Sequence, residues 1–518
     1  MNSKLSVSQY LELGINRLFR HRYLIVVLFL LARYALHSTL GTWSEDFWEH
    51  SAVVRELMTQ PWHPHHPQIL VSAPHAFFSP YSLLVALFGL AFRLDSITAL
   101  AVFGGVNFLL LSYGLVKFCR IYSSDNLGSG IAVYTLLLSL FLWGDHPWLF
   151  SGFYNIGIFN DILPYPSTFA LGLSLLILTL NHRSLIAPAR QYDVIIICTC
   201  SLVLIIHSLT AIFLLTGICC QQLSFHKITF TALFRLGVLL AASLLLSLCW
   251  PYFSMWQLIK VGGDAFHFSN GVMYLDVIAR IWPTLMLSPV IVWQALKTKN
   301  RDLALILIGL TVIFIFGYFS TKYSYGRTIA FELLICNVLL AQVVVRLEQI
   351  CSSTVIAKIF RTLWVLLLSV IIINWLGQSI SRILTVFNSI YLRRPVSSEI
   401  VYGDLNFLKK YTNQYDLIFA DVDSSWIIPT IAGKVVGTDH PLAFVPDWYL
   451  RKWELMQFYS EEQNDAYRKR ILEKYQPKFL LIKKSLGAIA VKIANEFSDQ
   501  RLYPRVFEDH KFVLIRLP

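Results

Sequence analysis

An acidic cluster opens the first long polar segment of the chain, Trp43-Ser44-Glu45-Asp46-Phe47-Trp48-Glu49-His50, just beyond an apolar run that ends near residue 40. A carboxylate in that place can take the proton of an attacking hydroxyl, which is general-base chemistry. Acidic groups set against apolar surface at a membrane boundary also favour a functional role. The structural alternative is a capping box: Asp46, with Glu49 three residues on, suits the start of a surface helix reaching Met58.

Histidines come next, in Pro61-Trp62-His63-Pro64-His65-His66-Pro67 and then Ala73-Pro74-His75-Ala76-Phe77-Phe78-Ser79-Pro80. Imidazole and carboxylate together suit zinc or manganese. The prolines, however, force extended turns and deny the helical His-x-x-x-His spacing. Substrate hydrogen bonding or loop packing is therefore expected of Glu49, His50, His66 and His75, with no metal or other cofactor required and a divalent ion left as the alternative.

Further along, Asn160-Asp161 lies among aromatic residues and prolines, where Asp161 serves either a second substrate group or divalent ion, or the backbone donors of a turn. His207 falls between two apolar runs and is a site candidate or a hydrogen-bonded packing residue. The turn Thr321-Lys322-Tyr323-Ser324-Tyr325-Gly326-Arg327 brings two cations to the membrane edge. Lys322 and Arg327 suit a lipid phosphate, or act as interfacial anchors. Glu332 is expected to pair with a cation, and Arg393-Arg394 to meet headgroups.

The elements that carry these residues are set by composition. Of 518 residues, 56% are hydrophobic and 14% charged, against roughly 25% charged in a soluble domain. Apolar runs long enough for a bilayer, about 20 residues each, recur over 24–380, whereas 397–518 has soluble composition. The net charge of +12 is spread over short loops, among them Arg17, Arg20 and Arg22, Lys297, Lys299 and Arg301, and Arg346, Lys358 and Arg361. That is the positive-inside signature and not a nucleic-acid patch. The eight cysteines lie in or beside apolar segments and show neither a disulfide framework nor zinc spacing. The N-terminus is expected to be a retained first helix, since no small-residue cleavage site comes after it.

Eleven spans are expected, near 23–40, 97–118, 130–143, 167–181, 193–206, 208–222, 236–250, 276–294, 303–319, 328–345 and 362–380. The apolar stretch 79–94 is short, begins at Pro80 and ends at Arg93 and Asp95, which suits a helix lying on the membrane surface. An odd count puts the N-terminus in the cytoplasm and the C-terminal domain outside. Three outer segments result, 41–95, 144–166 and 251–275, and these hold the unusual chemistry.

The body 1–396 is thus polytopic and helical, and 397–518 is an extracytoplasmic α/β domain. Its strand-like runs are 416–420, 434–437, 478–483 and 512–517, and its helical stretches are 402–411, 448–459, 466–475 and 486–497. Neither a GxGxxG fingerprint nor a P-loop occurs.

A first outer loop opening on Glu45-Asp46, the stretch from Ala76-Phe77-Phe78-Ser79-Pro80 to Arg93, many spans and an outward α/β domain together resemble the GT-C-fold glycosyltransferases. That membrane class includes protein O-mannosyltransferases, aminoarabinose transferases and oligosaccharyltransferases. The resemblance covers nearly the whole chain in layout and few residues in detail. It implies a polyprenyl-phosphate sugar as donor, an outward-facing site, and a carboxylate near the first span as base. Asp46 takes that role, with Glu45 as neighbour or substitute. The WWD-type motif of oligosaccharyltransferases does not occur, which argues against peptide N-glycosylation. Asp421-Val422-Asp423 is a DxD read as a strand-to-helix turn, with Asp423 near the N-cap.

The expected function is transfer of a hexosyl or pentosyl group, with inversion, to a hydroxyl of a glycan, lipid or protein acceptor. The donor's isoprenoid lies between spans, and its phosphate meets Lys322 or Arg327. The setting is the plasma (inner) membrane, with membrane lipid but no nucleic acid as partner. The rival is a transporter or flippase of lipid-linked sugars, which would bind at mid-bilayer and show repeat-related halves. A non-catalytic assembly factor is the third possibility.

Overall fold

In lipid the backbone must satisfy its own polar groups, so the long apolar runs form helices. The computed structural model describes residues 21–41, 43, 46–123, 127–225, 229–260, 270–297, 301–350, 402–497 and 503–518, with single helical positions between 359 and 384. Among them seven helices are long and apolar enough to cross a membrane: Arg22–Leu40, Ser96–Ile121, Pro166–Ile186, Ser208–Phe225, Phe230–Leu248, Arg301–Phe319 and Tyr323–Ile350. The pair Asn270–Met286 and Ser288–Leu296, bent by 55°, makes an eighth if it is one span.

Eleven spans is therefore more than the described helices support. The segments expected at 130–143 and 193–206 are the helices Gly128–Phe141 and Arg190–Ile206, of 14 and 17 residues. At 1.5 Å per residue these measure about 21 Å and about 26 Å, short of the ~30 Å hydrocarbon core. The span expected at 362–380 falls outside the described residues, single positions apart.

The chain divides into two compact units. The first comprises Met1–Leu40, Gly104–Cys249 and His267–Arg394. Its helices approach closely where side chains are smallest: a Cβ on Gly114 would sit 2.7 Å from the Gly172 carbonyl oxygen, the small-residue contact that membrane helices use. Polar pairs join them elsewhere, Asn181 to Gln221 at 2.8 Å, Gln294 to Gln342 at 2.7 Å and Asn337 to Ser139 at 3.1 Å. Arg22 is buried and donates twice to Glu348, at 2.7 and 2.9 Å, so it is a helix-to-helix clasp as well as one of the basic residues near the N-terminus. Glu332 accepts from the Thr311 hydroxyl at 3.2 Å, so its partner is a hydroxyl where a cation was expected.

The second unit comprises Gly41–Phe103, Trp250–Phe266 and Pro395–Pro518. Its sheet runs β2-β1-β3-β5-β4, with β1 Leu417–Phe419, β2 Lys434–Val435, β3 Phe479–Lys483, β4 Arg505–Glu508 and β5 Phe512–Arg516. β2, β1 and β3 are parallel, and β5 and β4 are antiparallel. Strands β3 and β5 are continuous apolar runs buried on both faces, and Phe419, Leu480 and Val513 of the sheet join Leu455, Phe458, Ile471 and Ile493 of the helices in one core. Strand β4 has no counterpart among the elements expected from sequence, and of helix Val422–Ile431 only the start was expected, at the strand-to-helix turn Asp421-Val422-Asp423. The N-cap of that helix is Asp421, which accepts from Ser424 N–H at 3.1 Å, while Asp423 is exposed. The cap thus sits two residues before the expected position, because the strand ends at Phe419 and the chain turns at once.

The first outer segment belongs to this unit and extends its sheet, since Ile69 bridges Val435 in parallel and Val435 N–H donates to Gln68 O at 2.8 Å. Within that segment, helix Pro80–Phe92 begins at Ser79, whose hydroxyl accepts from Ser82 N–H, with Pro80 in the first turn. It ends at Arg93 in the left-handed region, φ 55°. Thirteen residues give about 20 Å, too little to span.

Candidate active site

Helix Asp46–Thr59 carries the acidic pair. The helix is buried on nearly every side, Phe47, Ala52, Val53 and Leu57 included, and it packs on helix Val422–Ile431 and on helix Pro80–Phe92. Polar bonds fix that packing: Thr430 donates to Trp48 O at 2.8 Å, and Arg55 Nη1 to Pro429 O and Ala432 O, both at 2.9 Å. The first turn of the helix is thereby held against the C-terminal residues of the same unit.

Glu49 is 1% exposed, and a carboxylate so buried must be paired. Its Oε1 lies 3.1 Å from His75 Nε2 and its Oε2 lies 2.8 Å from His440 Nδ1. Burial works against ionisation, yet His440 and His75 outweigh it and hold the carboxyl below its usual range. Glu49 therefore does not close a capping box; its carboxylate is turned to the histidines.

His75 has a defined tautomer. Its Nδ1 accepts from Phe77 N–H at 3.2 Å, so the proton sits on Nε2 and faces Glu49. His66 is wired similarly: its Nδ1 accepts from Gln68 N–H at 3.3 Å and Ile69 N–H at 3.2 Å. Burial above all, with the Lys434 ammonium nearby, pushes the pKa of that ring well down and keeps it neutral. His50 is also buried, which pushes its pKa down to about 4. Both rings contribute shape and hydrogen bonds at neutral pH, not charge. The prolines around them set the extended turns from which the imidazoles reach backbone amides.

Beneath this loop lies a second buried ion pair. Lys434, 2% exposed, donates to Glu56 Oε2 at 2.8 Å, His66 O at 2.8 Å and Pro67 O at 2.9 Å. All three ammonium protons are used. Glu56 also accepts from His65 N–H at 3.0 Å. The histidine turn is thus tied directly to β2.

A cleft opens here, lined by Glu49, His66, His75, Phe77, Leu442 and Phe444 among others. Asp46 is half-buried, one turn before Glu49, and among the described residues it makes no hydrogen bond or ion pair. Asp46, Glu49 and His440 bring one potential ligand atom each to within 4.8 Å of the others. The arrangement therefore pairs an unengaged carboxylate with an anchored one, beside a cleft with aromatic and imidazole walls.

The remaining expected site residues belong to the first unit or lie outside the described residues. Glu45 lies outside the described residues. In the first unit, Asp161 stands 3.3 Å from His37 Nε2. His207 joins two helices, and its Nδ1 accepts from Thr210 N–H at 3.2 Å. Arg327 donates to Asn270 Oδ1 at 2.7 Å and Ser151 at 3.3 Å and covers the Phe150 ring, while Lys322 is exposed. His440 was not anticipated from sequence. Its only signal is the short polar run Thr438-Asp439-His440-Pro441 after a strand, which is ordinary loop composition.

The class defined by these features is a multi-pass helical membrane protein with an α/β domain and a carboxylate–imidazole site. No protein-family profile matches the chain, and no curated protein sequence matches it. Among solved structures it is similar to the oligosaccharyltransferase of Archaeoglobus fulgidus in a complex with zinc and sulfate, at 14% identity and a TM-score of 0.46, over 85% of this chain and 64% of that one. The apo form of the same enzyme aligns at 13% identity with a TM-score of 0.48, over 90% of this chain and 70% of that one. This chain thus spans less than two thirds of the first of these, and a superposition this loose transfers no residue role.

Proposed function

We propose that the protein is a glycosyltransferase that moves a sugar from a polyprenyl-phosphate donor to an acceptor hydroxyl at the outer face of the membrane. The division of labour between Asp46 and Glu49 supports it. Glu49 is buried and anchored by two histidines, whereas Asp46 is half-buried and unengaged. A general base needs a free oxygen within reach of the proton it takes, so Asp46 is the base and Glu49 positions the site.

In the reaction the acceptor hydroxyl gives its proton to Asp46 as its oxygen bonds to the anomeric carbon. The bond from that carbon to the phosphate oxygen breaks, and its electron pair leaves with the lipid phosphate. A single displacement inverts the anomeric centre.

The carboxylate end of the first outer segment faces the side opposite the basic loops, by the positive-inside rule. In that orientation the N-terminus is cytoplasmic and the α/β domain lies outside the inner membrane. Incubation of purified protein in lipid with a panel of polyprenyl-phosphate sugars should yield donor-dependent product or donor hydrolysis. Asp46→Asn should lower turnover by about 10²–10⁴-fold while leaving membrane insertion intact. Unchanged turnover in that variant removes the base assignment, and lipid-sugar translocation without product would favour the flippase instead.

A further inference from the structure

We infer that the cleft of the second unit binds an acyl group of the substrate, as an acetamido or acetyl-ester substituent. Its carbonyl oxygen accepts a hydrogen bond from His66 Nε2, and its methyl lies among apolar side chains. On the glycosyltransferase reading, on which this rests, the substrate is thereby an acylated sugar or an acylated acceptor.

The His66 ring has a fixed tautomer. Its Nδ1 accepts from two backbone amides, Gln68 N–H at 3.3 Å and Ile69 N–H at 3.2 Å. A neutral imidazole whose Nδ1 is an acceptor carries its proton on Nε2, and burial keeps this ring neutral. Among the described residues nothing accepts from that second nitrogen; the ring meets His75 edge to face, with centroids 4.9 Å apart. His66 borders the cleft, so it brings there one N–H donor, set in direction by the two amides behind it.

The other polar groups of the lining are engaged already. Glu49 is paired with His75 at 3.1 Å and His440 at 2.8 Å, and the second nitrogen of His75 accepts from Phe77 N–H. The remaining wall is Pro74, Ala76, Phe77, Leu442, Ala443 and Phe444 among others, all apolar. A bare sugar face brings several hydroxyls, and each one set against such a wall without a partner costs free energy. A carbonyl with a methyl brings one strong acceptor and apolar surface, which matches one donor and apolar walls.

Charge selects in the same direction. Among the described residues the lining holds no lysine or arginine, and Glu49 is kept ionised there by its histidines. A phosphate in this cleft would face a carboxylate with no cation to offset it, whereas a neutral acyl group carries no such penalty. The cleft also lies one helical turn from Asp46, since Glu49 follows it by three residues in helix Asp46–Thr59. A substituent held here is thus close to the carboxylate that takes the acceptor proton.

The acyl group belongs either to the donor sugar or to the acceptor, and calorimetry on the purified full chain in lipid nanodiscs separates the two. The donor arm uses non-transferable phosphonate analogues of polyprenyl-phosphate glucose and polyprenyl-phosphate N-acetylglucosamine. The acceptor arm uses cellobiose and chitobiose, which differ only in their acetamido groups. The wild type should bind the acylated member of one pair about tenfold more tightly, or better. His66→Asn should lose that preference: its amide oxygen can replace Nδ1 as partner of the Gln68 and Ile69 amides, but it has no donor at the Nε2 position. His66→Gln, whose amide reaches that position, should keep part of it. Equal affinities within both pairs overturn the inference, as do absence of binding in both arms and a preference that survives in His66→Asn. An acyl preference in binding with no transfer from any donor sugar would uphold the cleft assignment and count against the proposed reaction alone.

Discussion

His75 Nε2 stands 3.1 Å from Glu49 Oε1, and the backbone amide of Phe77, bonded to the other ring nitrogen, decides that the proton is on the nitrogen facing the carboxylate. A side chain that touches only another side chain can therefore govern how the site presents its charge. Replacing His75 with Ala should free Glu49 to rotate and lower transfer about 10–100-fold, the usual cost of losing an orienting partner. His75→Asn, which keeps a donor, should recover part of the loss; equal activity in wild type and His75→Ala would show that Glu49 needs no such support.

Lys434 and Glu56 give a prediction about stability. Removing one member of a buried ion pair costs about 3–5 kcal/mol, because the other is left charged and unpaired. Lys434→Met should open the second unit to limited proteolysis in the intact chain. The double variant Lys434→Met with Glu56→Gln should be more resistant than Lys434→Met alone, because no charge is then stranded.

Gly114 tests helix packing in the first unit. Its Cβ would lie 2.7 Å from a backbone oxygen, which cannot yield as a side-chain tip can, whereas nothing lies within 4 Å of a Cβ on Gly237. Gly114→Ala should cost about 1–3 kcal/mol by overpacking and lower the unfolding temperature in detergent. Gly237→Ala should not lower it.

Glu496 makes the second unit sensitive to pH. Burial, and then the neighbouring Asp465, push its pKa up to about 7. A carboxyl that is harder to ionise in the folded state contributes stability at low pH, and that contribution is lost as pH rises from the ordinary carboxylate range through 7. Hydrogen exchange in helix Ala488–Glu496 should therefore accelerate between pH 5 and about 8 beyond the intrinsic chemical increase. Glu496→Gln should remove the excess, and an excess that persists in that variant would place its origin elsewhere.

Much of the architecture was legible because it rests on local rules. Apolar runs long enough for lipid announced the helices, and alternation with turn residues announced β1, β2, β3 and β5 to within about two residues. Helix Val422–Ile431 was legible only at its start, in the turn Asp421-Val422-Asp423, because Pro429 interrupts its pattern further on. Strand β4 escaped because Arg505 and Glu508 make it polar and it lies at the edge of the sheet.

The acidic opening of the first outer segment was equally plain, since both carboxylates and the histidine run lie close together in the chain. Their roles were not. Asp46 and Glu49 are one turn apart and look interchangeable in sequence, yet one is anchored by His75 and His440 and the other is left open.

Amino-acid order alone determined the features that short-range physics sets: membrane helices, an α/β domain, and carboxylates at the start of a polar segment. The tertiary fold decided which carboxylate is held and which is free, and it brought His440 to Glu49 from the far end of the chain. Burial and direction cause that difference, for an imidazole acts on a carboxylate only over a few ångströms, and sequence separation carries no information about such distances.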